Sequence, residues 1–430
     1  MLCYNFTVYN SLVCCLRLSY LLFYFPALIA NHSTLTILEA TNILFSHVTD
    51  NIIVKKSSYK SCEIKYMYYI CRMLKSLKEF TLRYACFVLL AYVGMADAEA
   101  QSFAGVEDST IVVFDVDNFS FFDNREVRSP YQRSQTLFGS RLGGEVGVQF
   151  GANTVKLGAH GIKDFGGQGL ANTEVSFYYH YAQGHFSGAF GSFPRKQLMA
   201  ELPDIFIYDS LRYYSPIIHG ALLQYMDSRG YAEVYCNWIN KQGVGKREIF
   251  EIVTDGRFGY KGYYAGWNVQ LLHFSVPRPA NGLRVYDKLM INPHLGIERS
   301  NLRWLDALSL QAGLMLSLNR DRTDMLWKSP MGFLGELKMR KWRFELADRL
   351  YAGNPQFSDY ETYGAELHRG DPYYRSGLYN RTDVTFFLLN KRFVQCCITA
   401  SFHYTEQSLD NSQLVILRFY PEQWMYGLSR

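Results

Sequence analysis

The amino-acid sequence predicts an all-β fold, an up-and-down transmembrane antiparallel β-barrel of about sixteen strands (14–18) that follows an internal signal peptide. Three observations predict it. Beyond Gln101, apolar and polar residues alternate with a period of two, which marks strands with one apolar face. The connections between these segments are by turns short and long, as in a barrel with tight turns on one rim and loops on the other. No run of 18 apolar residues follows Gln101, so no transmembrane helix competes with the strands.

Composition separates the chain into two regimes. Of its 430 residues, 16% are aromatic and only 19% charged, aromatic-rich and charge-poor for a soluble protein. The first hundred residues hold six of the nine cysteines (Cys3, Cys14, Cys15, Cys62, Cys71, Cys86) but one of the 33 glycines, Gly94. After Gln101 the chain is rich in Gly, Tyr and Phe. The formal charge is +5, of which residues 1–100 carry +3 (nine Lys/Arg less six Asp/Glu) and the remainder +2. So weak a bias argues against nucleic acid as a partner. Cys236, Cys396 and Cys397 have no regular spacing, so no metal motif, disulfide framework or cofactor is expected.

Residues 73–100 read as the signal peptide. Lys75, Lys78 and Arg83 precede an apolar stretch from Tyr84 to Met95, and Ala98-Glu99-Ala100 places small residues where a signal peptidase reads, with cleavage before Gln101. The apolar core is too short to span a bilayer. Met73 sits where the initiator of such a signal belongs. Residues 1–72 are therefore expected to be a non-native, unstructured upstream extension, and 101–430 the barrel. The rival reading is a membrane anchor at 11–30, which Arg17 and Pro26 interrupt.

In chain order, the first strand is expected at about 109–117, with a long connection at 118–133. Strands 135–150 and 154–164 flank a tight turn at 151–153; in the second, Val155, Leu157, Ala159 and Gly161 oppose Lys156, Gly158 and His160. Beyond 165–173, strand 174–183 sets Val175, Phe177, Tyr179 and Tyr181 against Glu174, Ser176, Tyr178 and His180, then turns at 184 into 185–193. After the long loop 194–216, strands 217–226 and 231–240 flank the turn 227–230, and Ala232, Val234, Cys236 and Trp238 oppose Tyr231, Glu233, Tyr235 and Asn237. Strands 247–256 and 260–276 follow the connection 241–246 and flank a turn at 257–259. Beyond 277–285, strands 286–299 and 307–320 are joined by 300–306; Leu308, Leu310, Ala312, Leu314, Leu316 and Leu318 oppose Ser309, Gln311, Gly313 and Ser317. Strands 329–340 and 343–352 follow 321–328 and flank the turn 341–343. After the loop 353–379 come strands 380–390, 393–405 and 412–420, joined by 390–392 and 406–411.

The physical logic of a closed barrel fits these elements. Backbone amides cannot stay unpaired in hydrocarbon, and closure pairs all of them. Strands near ten residues cross a bilayer when tilted. An even strand count puts both termini on the short-turn, periplasmic side. Tyr263, Trp267, Trp327, Trp342 and Tyr420 suit interfacial girdles as a pattern, although any one of them alone is ordinary packing.

Several stretches resemble porin-like outer-membrane proteins, especially the uncharacterised barrels common in Bacteroidetes: Phe121-Phe122-Asp123-Asn124-Arg125-Glu126, Gly139-Ser140-Arg141-Leu142, Phe193-Pro194-Arg195, Tyr208-Asp209-Ser210, Arg247-Glu248 and Gly370-Asp371-Pro372-Tyr373-Tyr374. The resemblance covers about 110–420 and implies a barrel in the outer membrane of a Gram-negative bacterium. Its partners would be membrane lipid and lipopolysaccharide, the barrel-assembly machinery and small hydrophilic solutes, with a homo-oligomer open. Many such barrels end on an aromatic residue; here ten residues follow Tyr420.

No motif marks a reaction. Phe114-Asp115-Val116-Asp117 matches the aspartate pair of haloacid-dehalogenase-type phosphatases but lacks their α/β context, and Arg369-Gly370-Asp371 reads as a loop corner rather than an adhesion tripeptide. His180, His185, His219 and His273 sit in no motif with a serine, so no catalytic residue and no enzymatic activity are expected. The loop 194–216 carries Arg195, Lys196, Glu201, Asp204, Asp209 and Arg212 beside Leu198, Ile205, Phe206 and Ile207. Its apolar stripe suits a loop folded into the lumen as a constriction, or one packed on the outer rim. Glu233, Glu336, Lys338 and Arg340 are lumen-lining candidates. The expected function is a passive channel for small hydrophilic solutes, selective by pore width and charge. The alternatives are a non-conducting structural or partner-binding barrel and an outer-membrane hydrolase.

Overall fold

The computed structural model describes residues 110–428 apart from 324–326 and 420–423. The extension 1–72, the signal peptide 73–100 and the cleavage site lie outside the described residues.

The alternating segments form eighteen stretches: β1 (Thr110–Glu126), β2 (Gln135–Phe150), β3 (Asn153–Asp164), β4 (Asn172–Gln183), β5 (Phe186–Pro194), β6 (Ile217–Asp227), β7 (Gly230–Asn240), β8 (Ile249–Tyr260), β9 (Tyr263–Phe274), β10 (Tyr286–Ser300), β11 (Ala307–Asp321), β12 (Trp327–Lys328), β13 (Met331–Lys341), β14 (Phe344–Gly353), β15 (Leu378–Lys391), β16 (Val394–Thr405), β17 (Leu409–Phe419) and β18 (Trp424–Leu428). β12 and β13 both pair with β11 and form one stave, interrupted at Ser329-Pro330, where proline has no N–H to give the ladder. β17 and β18 both pair with β1 and form another, so the barrel has sixteen staves. Each is antiparallel to its neighbours. β1 meets β2 on one side and β17 with β18 on the other, which closes the sheet.

The period-two faces settle inside and outside. Leu157, Phe177 and Leu314 point outward and are exposed, whereas Lys156, His160, Ser176, Tyr178 and Ser317 point inward and are buried. Tight turns such as Lys261-Gly262, with φ of 50° and 77°, lie on one rim. The longer loops lie on the other.

The structure corrects the expected boundaries at three places. β1 runs to Glu126, so 118–126 is strand rather than loop. Its alternation is inverted there: Phe119 and Phe121 point inward against Tyr213, while Asn118 and Ser120 bond Ser140 along the ladder. The turn expected at 257–259 lies at Lys261-Gly262, because β8 continues to Tyr260. The closing stave begins at Leu409 and resumes at Trp424–Leu428 against Thr110–Phe114, so Trp424–Leu428 continue the barrel seam.

The apolar core lies in the lumen. Ile205 and Phe206, both 0% exposed, pack with Leu202 and Ile207 against Met290, Met315, Leu334 and Tyr351 of the wall. Residues with that apolar content gain about 1.5–3 kcal/mol per large side chain by leaving water, which draws the loop inward.

Candidate functional site

Two long loops meet inside the barrel. One joins β5 to β6 and carries a short helix, α1 (Asp209–Tyr214); the other joins β14 to β15 and carries α2 (Tyr360–Leu367). The Tyr208 N–H donates to the Arg369 carbonyl at 2.9 Å, and the Asp371 N–H to the Asp204 carbonyl at 2.8 Å. Gly370 sits at the crossing, where a Cβ would stand 1.9 Å from the Ile205 carbonyl, so only glycine fits.

Charge fastens the crossing. Asp204 binds Arg212 at 2.8 Å, Arg381 at 3.1 Å and Arg349 at 3.6 Å; Asp209 binds Arg212 at 2.9 Å and Arg381 at 3.1 Å. Arg349 and Arg381 also hold Asp383, at 2.6 and 2.9 Å. Burial alone would raise the Asp204 carboxyl, but the guanidiniums of Arg349, Arg381 and Arg212 outweigh it and hold it far below the usual carboxylate range.

The remaining expected site residues are spread more widely. Arg195 donates to the Ser215 carbonyl at 3.2 Å, and Lys196 reaches Asp115 at 2.8 Å and Asp117 at 3.4 Å. Glu201 is exposed, 3.9 Å from Arg418. Glu233 is buried and accepts from the Met199 N–H and Gln224. Glu336 binds Arg349 at 3.3 Å and pairs with Lys338, while Arg340 lies 3.9 Å from Glu345 and over the Phe387 ring. Asp204, Asp209 and Arg212 thus come together, with Glu336 joined through Arg349; Glu201 and Arg340 stand apart. Arg369 and Asp371 are buried, which removes the adhesion reading of that tripeptide.

Beside the crossing lies a narrow polar chamber of about 20 Å³ lined by Arg125, Asp371, Tyr373, Arg381, His403 and Ser412, among others. The Tyr373 ring stacks on both His403 and Tyr379, with centroids 4.8 and 5.1 Å away, and the His403 and Tyr379 rings lie near-parallel with centroids 6.1 Å apart. Its Nδ1 is 2.8 Å from the Tyr379 hydroxyl, and its Nε2 is 3.4 Å from Ser412 Oγ. Tyr379 donates to Asp371 at 3.5 Å, and Gln132 donates to the other Asp371 oxygen at 2.8 Å. One polarity satisfies the chain: Asp371 accepts from Tyr379, Tyr379 accepts from His403 Nδ1–H, and Nε2 is left to accept from Ser412. Burial pushes the Asp371 carboxyl up, Arg381 opposes, and Asp204 and Asp209 add to the rise, which reaches about 6.

A groove of about 330 Å³ on the outer surface, lined by Arg128, Ser134, Phe402 and Leu409, shares Val127 and Asn411 with the chamber. Beside it, Thr136, Asn124, Gln413 and Asn411 form an outward ladder of hydrogen bonds at 2.6–2.8 Å. A second hydroxyl–imidazole pair, Ser192 Oγ with His219 Nδ1 at 2.9 Å, lies on the exposed outer face between β5 and β6. Among the described residues no group of three or more His, Cys, Asp or Glu stands in metal-ligand geometry.

Fold and site together define a closed antiparallel β-barrel of sixteen staves whose lumen is crossed by two of its own loops. The chain belongs to the lipid A 3'-O-deacylase-type family, which it matches over residues 105–425. That membership overturns the expectation of no enzymatic activity, because the family is named for an enzyme. The sequence holds no contiguous motif that marks a reaction, and the chamber residues of β15, β16, β17 and a distant loop meet only in the fold. The signal present was the polar inward face of Ser401 and His403, together with Asp371, Tyr373 and Tyr374 in a stretch already noted for its resemblance.

Among solved structures, the chain is similar to Vibrio cholerae OmpT lacking loop L8 (9% identity, 73% of this chain and all of that one, TM-score 0.47). It is also similar to an anion-selective porin from Comamonas acidovorans (11%, 73% and 100%, TM-score 0.46) and to Pseudomonas aeruginosa OprD (7%, 74% and 96%, TM-score 0.41). No curated protein matches the chain.

Proposed function

We propose that this barrel lies in the outer membrane of a Gram-negative bacterium and hydrolyses an acyl ester of a lipid A-class glycolipid entering sideways from the outer leaflet. The observation that carries the reading is the Ser412–His403–Tyr379–Asp371 chain in a chamber that abuts a lipid-side groove. Phe402 and Leu409 offer the acyl chain an apolar bed, Arg128 a cation for phosphate, and the Asn411–Gln413–Asn124 ladder hydrogen bonds for sugar hydroxyls and amides.

In this reading Ser412 Oγ bonds to the ester carbonyl carbon as its proton passes to His403 Nε2. The carbon–oxygen bond to the sugar breaks, and the departing hydroxyl takes that proton. Water repeats the sequence and frees the fatty acid. Tyr379 and Asp371 hold the imidazole in the tautomer that leaves Nε2 as acceptor. Export through the signal 73–100 belongs to the same reading, and mass spectrometry of the mature protein should find its N-terminus near Gln101.

The test is mass spectrometry of lipid A incubated with the refolded barrel. Loss of one acyl chain, abolished in Ser412→Ala and His403→Gln, supports the reading. Loss abolished instead in Ser192→Ala moves the chemistry to the outer pair, and no deacylation by the native barrel overturns it.

The passive channel is the second reading, favoured by the exposed Lys338 on the short-turn side of the lumen. The buried Ile205, Phe206 and Tyr374 across the lumen weigh against an open path.

A further inference from the structure

The short turns that join β6 to β7, β8 to β9, β10 to β11, β13 to β14 and β15 to β16 follow one another along a single rim. Each carries one cation: Arg229, Lys261, Arg303, Arg343 and Arg392, all of them exposed. The other tight turns of that rim, Gly151-Ala152 and Gly184-His185, carry no lysine or arginine. The charge therefore forms an arc along part of the rim rather than a closed ring. Asp306 is the one carboxylate within these turns, and it is occupied by Lys341 at 3.2 Å and by the Trp342 N–H at 2.6 Å. Among the described residues no carboxylate pairs with Lys261, Arg303 or Arg343.

Aromatic rings stand beside the cations. Lys261 lies over the Tyr260 ring at 5.1 Å, Arg303 over Trp304 at 5.4 Å and Arg392 over Phe393 at 5.7 Å. Lys341 lies over Trp342 at 5.6 Å, next to Arg343 in the chain. Tyr260, Trp304 and Trp342 are 73%, 76% and 77% exposed. Rings so bare at the ends of lipid-facing strands rest at headgroup depth, where the apolar face leaves water and the polar tip keeps it. A cation over such a ring is held at the same depth, within reach of phosphate.

The opposite rim uses its cations differently. There Arg284 pairs with Asp321, Arg322 with Asp287 and Lys328 with Asp359, while Arg247 donates to the Ser275 and Arg284 carbonyls. Solubility alone is served by mixed charge of that kind. Cations without carboxylates, set beside exposed rings, call for a negative partner from the surroundings. We propose that the arc from β6 to β16 is a docking surface for anionic phospholipid headgroups, phosphodiesters of net negative charge, in the leaflet that faces the short turns. The proposal rests on the membrane placement given above and not on the hydrolysis.

The test uses the whole refolded barrel in phosphatidylcholine vesicles that hold a small share of phosphatidylglycerol. Brominated chains quench nearby tryptophan, so bromine on one lipid or the other reports which of them gathers around Trp304 and Trp342. The native barrel should prefer phosphatidylglycerol by at least about fivefold, the worth of roughly one cation at an anionic surface, and less at high salt. Lys261→Gln, Arg303→Gln and Arg343→Gln combined should remove most of that preference. Arg303→Lys with Arg343→Lys should keep it, because the charge remains. Heat-modifiable migration on gels confirms that each variant has folded. Equal quenching by both lipids in the native barrel would overturn the proposal and leave the arc to an acidic partner in solution. An unchanged preference in the glutamine variant, or its loss in the lysine variant, would overturn it as well. Failure to insert into vesicles at all would sink the membrane placement and this proposal with it.

Discussion

The Asp371 N–H donates to the Asp204 carbonyl across 2.8 Å, and this bond joins two loops that are far apart in sequence and anchored on different staves. Around it the Asp204 side chain gathers three guanidiniums from α1, β14 and β15. The backbone bond sets where the loops cross, and the charges keep the crossing in place. The chamber beside it depends on both, because Asp371 is at once part of the crossing and the end of the chain that reaches Ser412.

Asp204→Asn should therefore destabilise the barrel strongly. Arg212, Arg349 and Arg381 would keep their charges in a buried setting with one carboxylate fewer, and breaking such a network by removing one partner costs about 3–5 kcal/mol. Urea-dependent unfolding, followed by gel migration, measures the loss. Stability equal to that of the native barrel would show that the wall alone fixes the loops.

His403→Gln should leave the direct stack of Tyr373 on Tyr379 in place while removing the base for Ser412. A lost general base lowers the rate about 10²–10⁴-fold. Tyr379→Phe leaves the imidazole in place without its orienting hydroxyl, so its loss should be smaller and fall on kcat rather than KM. Deacylation kinetics on one lipid substrate compare the two. Equal rates for the native barrel and His403→Gln would remove the imidazole from the chemistry.

The pH dependence follows from Asp371. Its carboxyl titrates near 6 in the folded barrel and near about 3.9 when unfolded. The folded state thus holds its proton more tightly, so this group favours folding most below the unfolded value, and that contribution is lost as pH rises through about 6. Activity runs the other way: above 6 the ionised carboxylate can accept from Tyr379 and orient His403. A native rate profile with an acid limb near 6 that disappears in Asp371→Asn is expected. A limb that survives the substitution belongs to another group.

Much of the barrel was legible because membrane and lumen impose opposite polarity on successive residues. Leu308 to Leu318 on β11 shows this without ambiguity. The first strand was cut short where Phe119, Phe121, Asp123 and Arg125 turn inward and polar Asn118, Ser120 and Asn124 face out, reversing the rule near the rim. The inward loop could be suspected from Ile205, Phe206 and Ile207, since three apolar residues in a row are costly in water. The chamber could not, because Ser412, His403, Tyr379 and Asp371 meet only through strand register and the crossing of loops, which no local pattern encodes.

The faces themselves can be tested energetically. Leu314 is 65% exposed on the outer face of β11, while Gln311 faces the lumen near Tyr264. Leu314→Arg should cost about 2–4 kcal/mol if the side chain meets the bilayer midplane, and Gln311→Arg much less. Folding yields into lipid vesicles for the two variants make the comparison. Equal defects would mean that the outer face of β11 does not meet hydrocarbon.

The last prediction separates a filled lumen from an open one. Deleting about 198–210 removes Leu202, Ile205, Phe206 and Ile207 from the lumen core, together with Asp204 and Asp209. The flanking strands β5 and β6 keep their ladder, so the barrel should still close, since loops tolerate shortening better than strands. Arg349 and Arg381 would lose two partners but regain water, which screens the charge left behind. A sixteen-staved wall is wide enough for an aqueous path once the core is gone. The native barrel should then show little current in a planar bilayer, and the deletion should conduct. Reversing charge at Arg195 and Lys196 in that background should favour cations, because Lys196 lies against Asp115 and Asp117 and glutamate there would leave three carboxylates together. Full conductance in the native barrel would show that the two loops leave a passage around them, and the channel reading would then take first place. Silence in both would place a further obstruction on the short-turn side, where Lys338, Glu336 and Arg340 project inward.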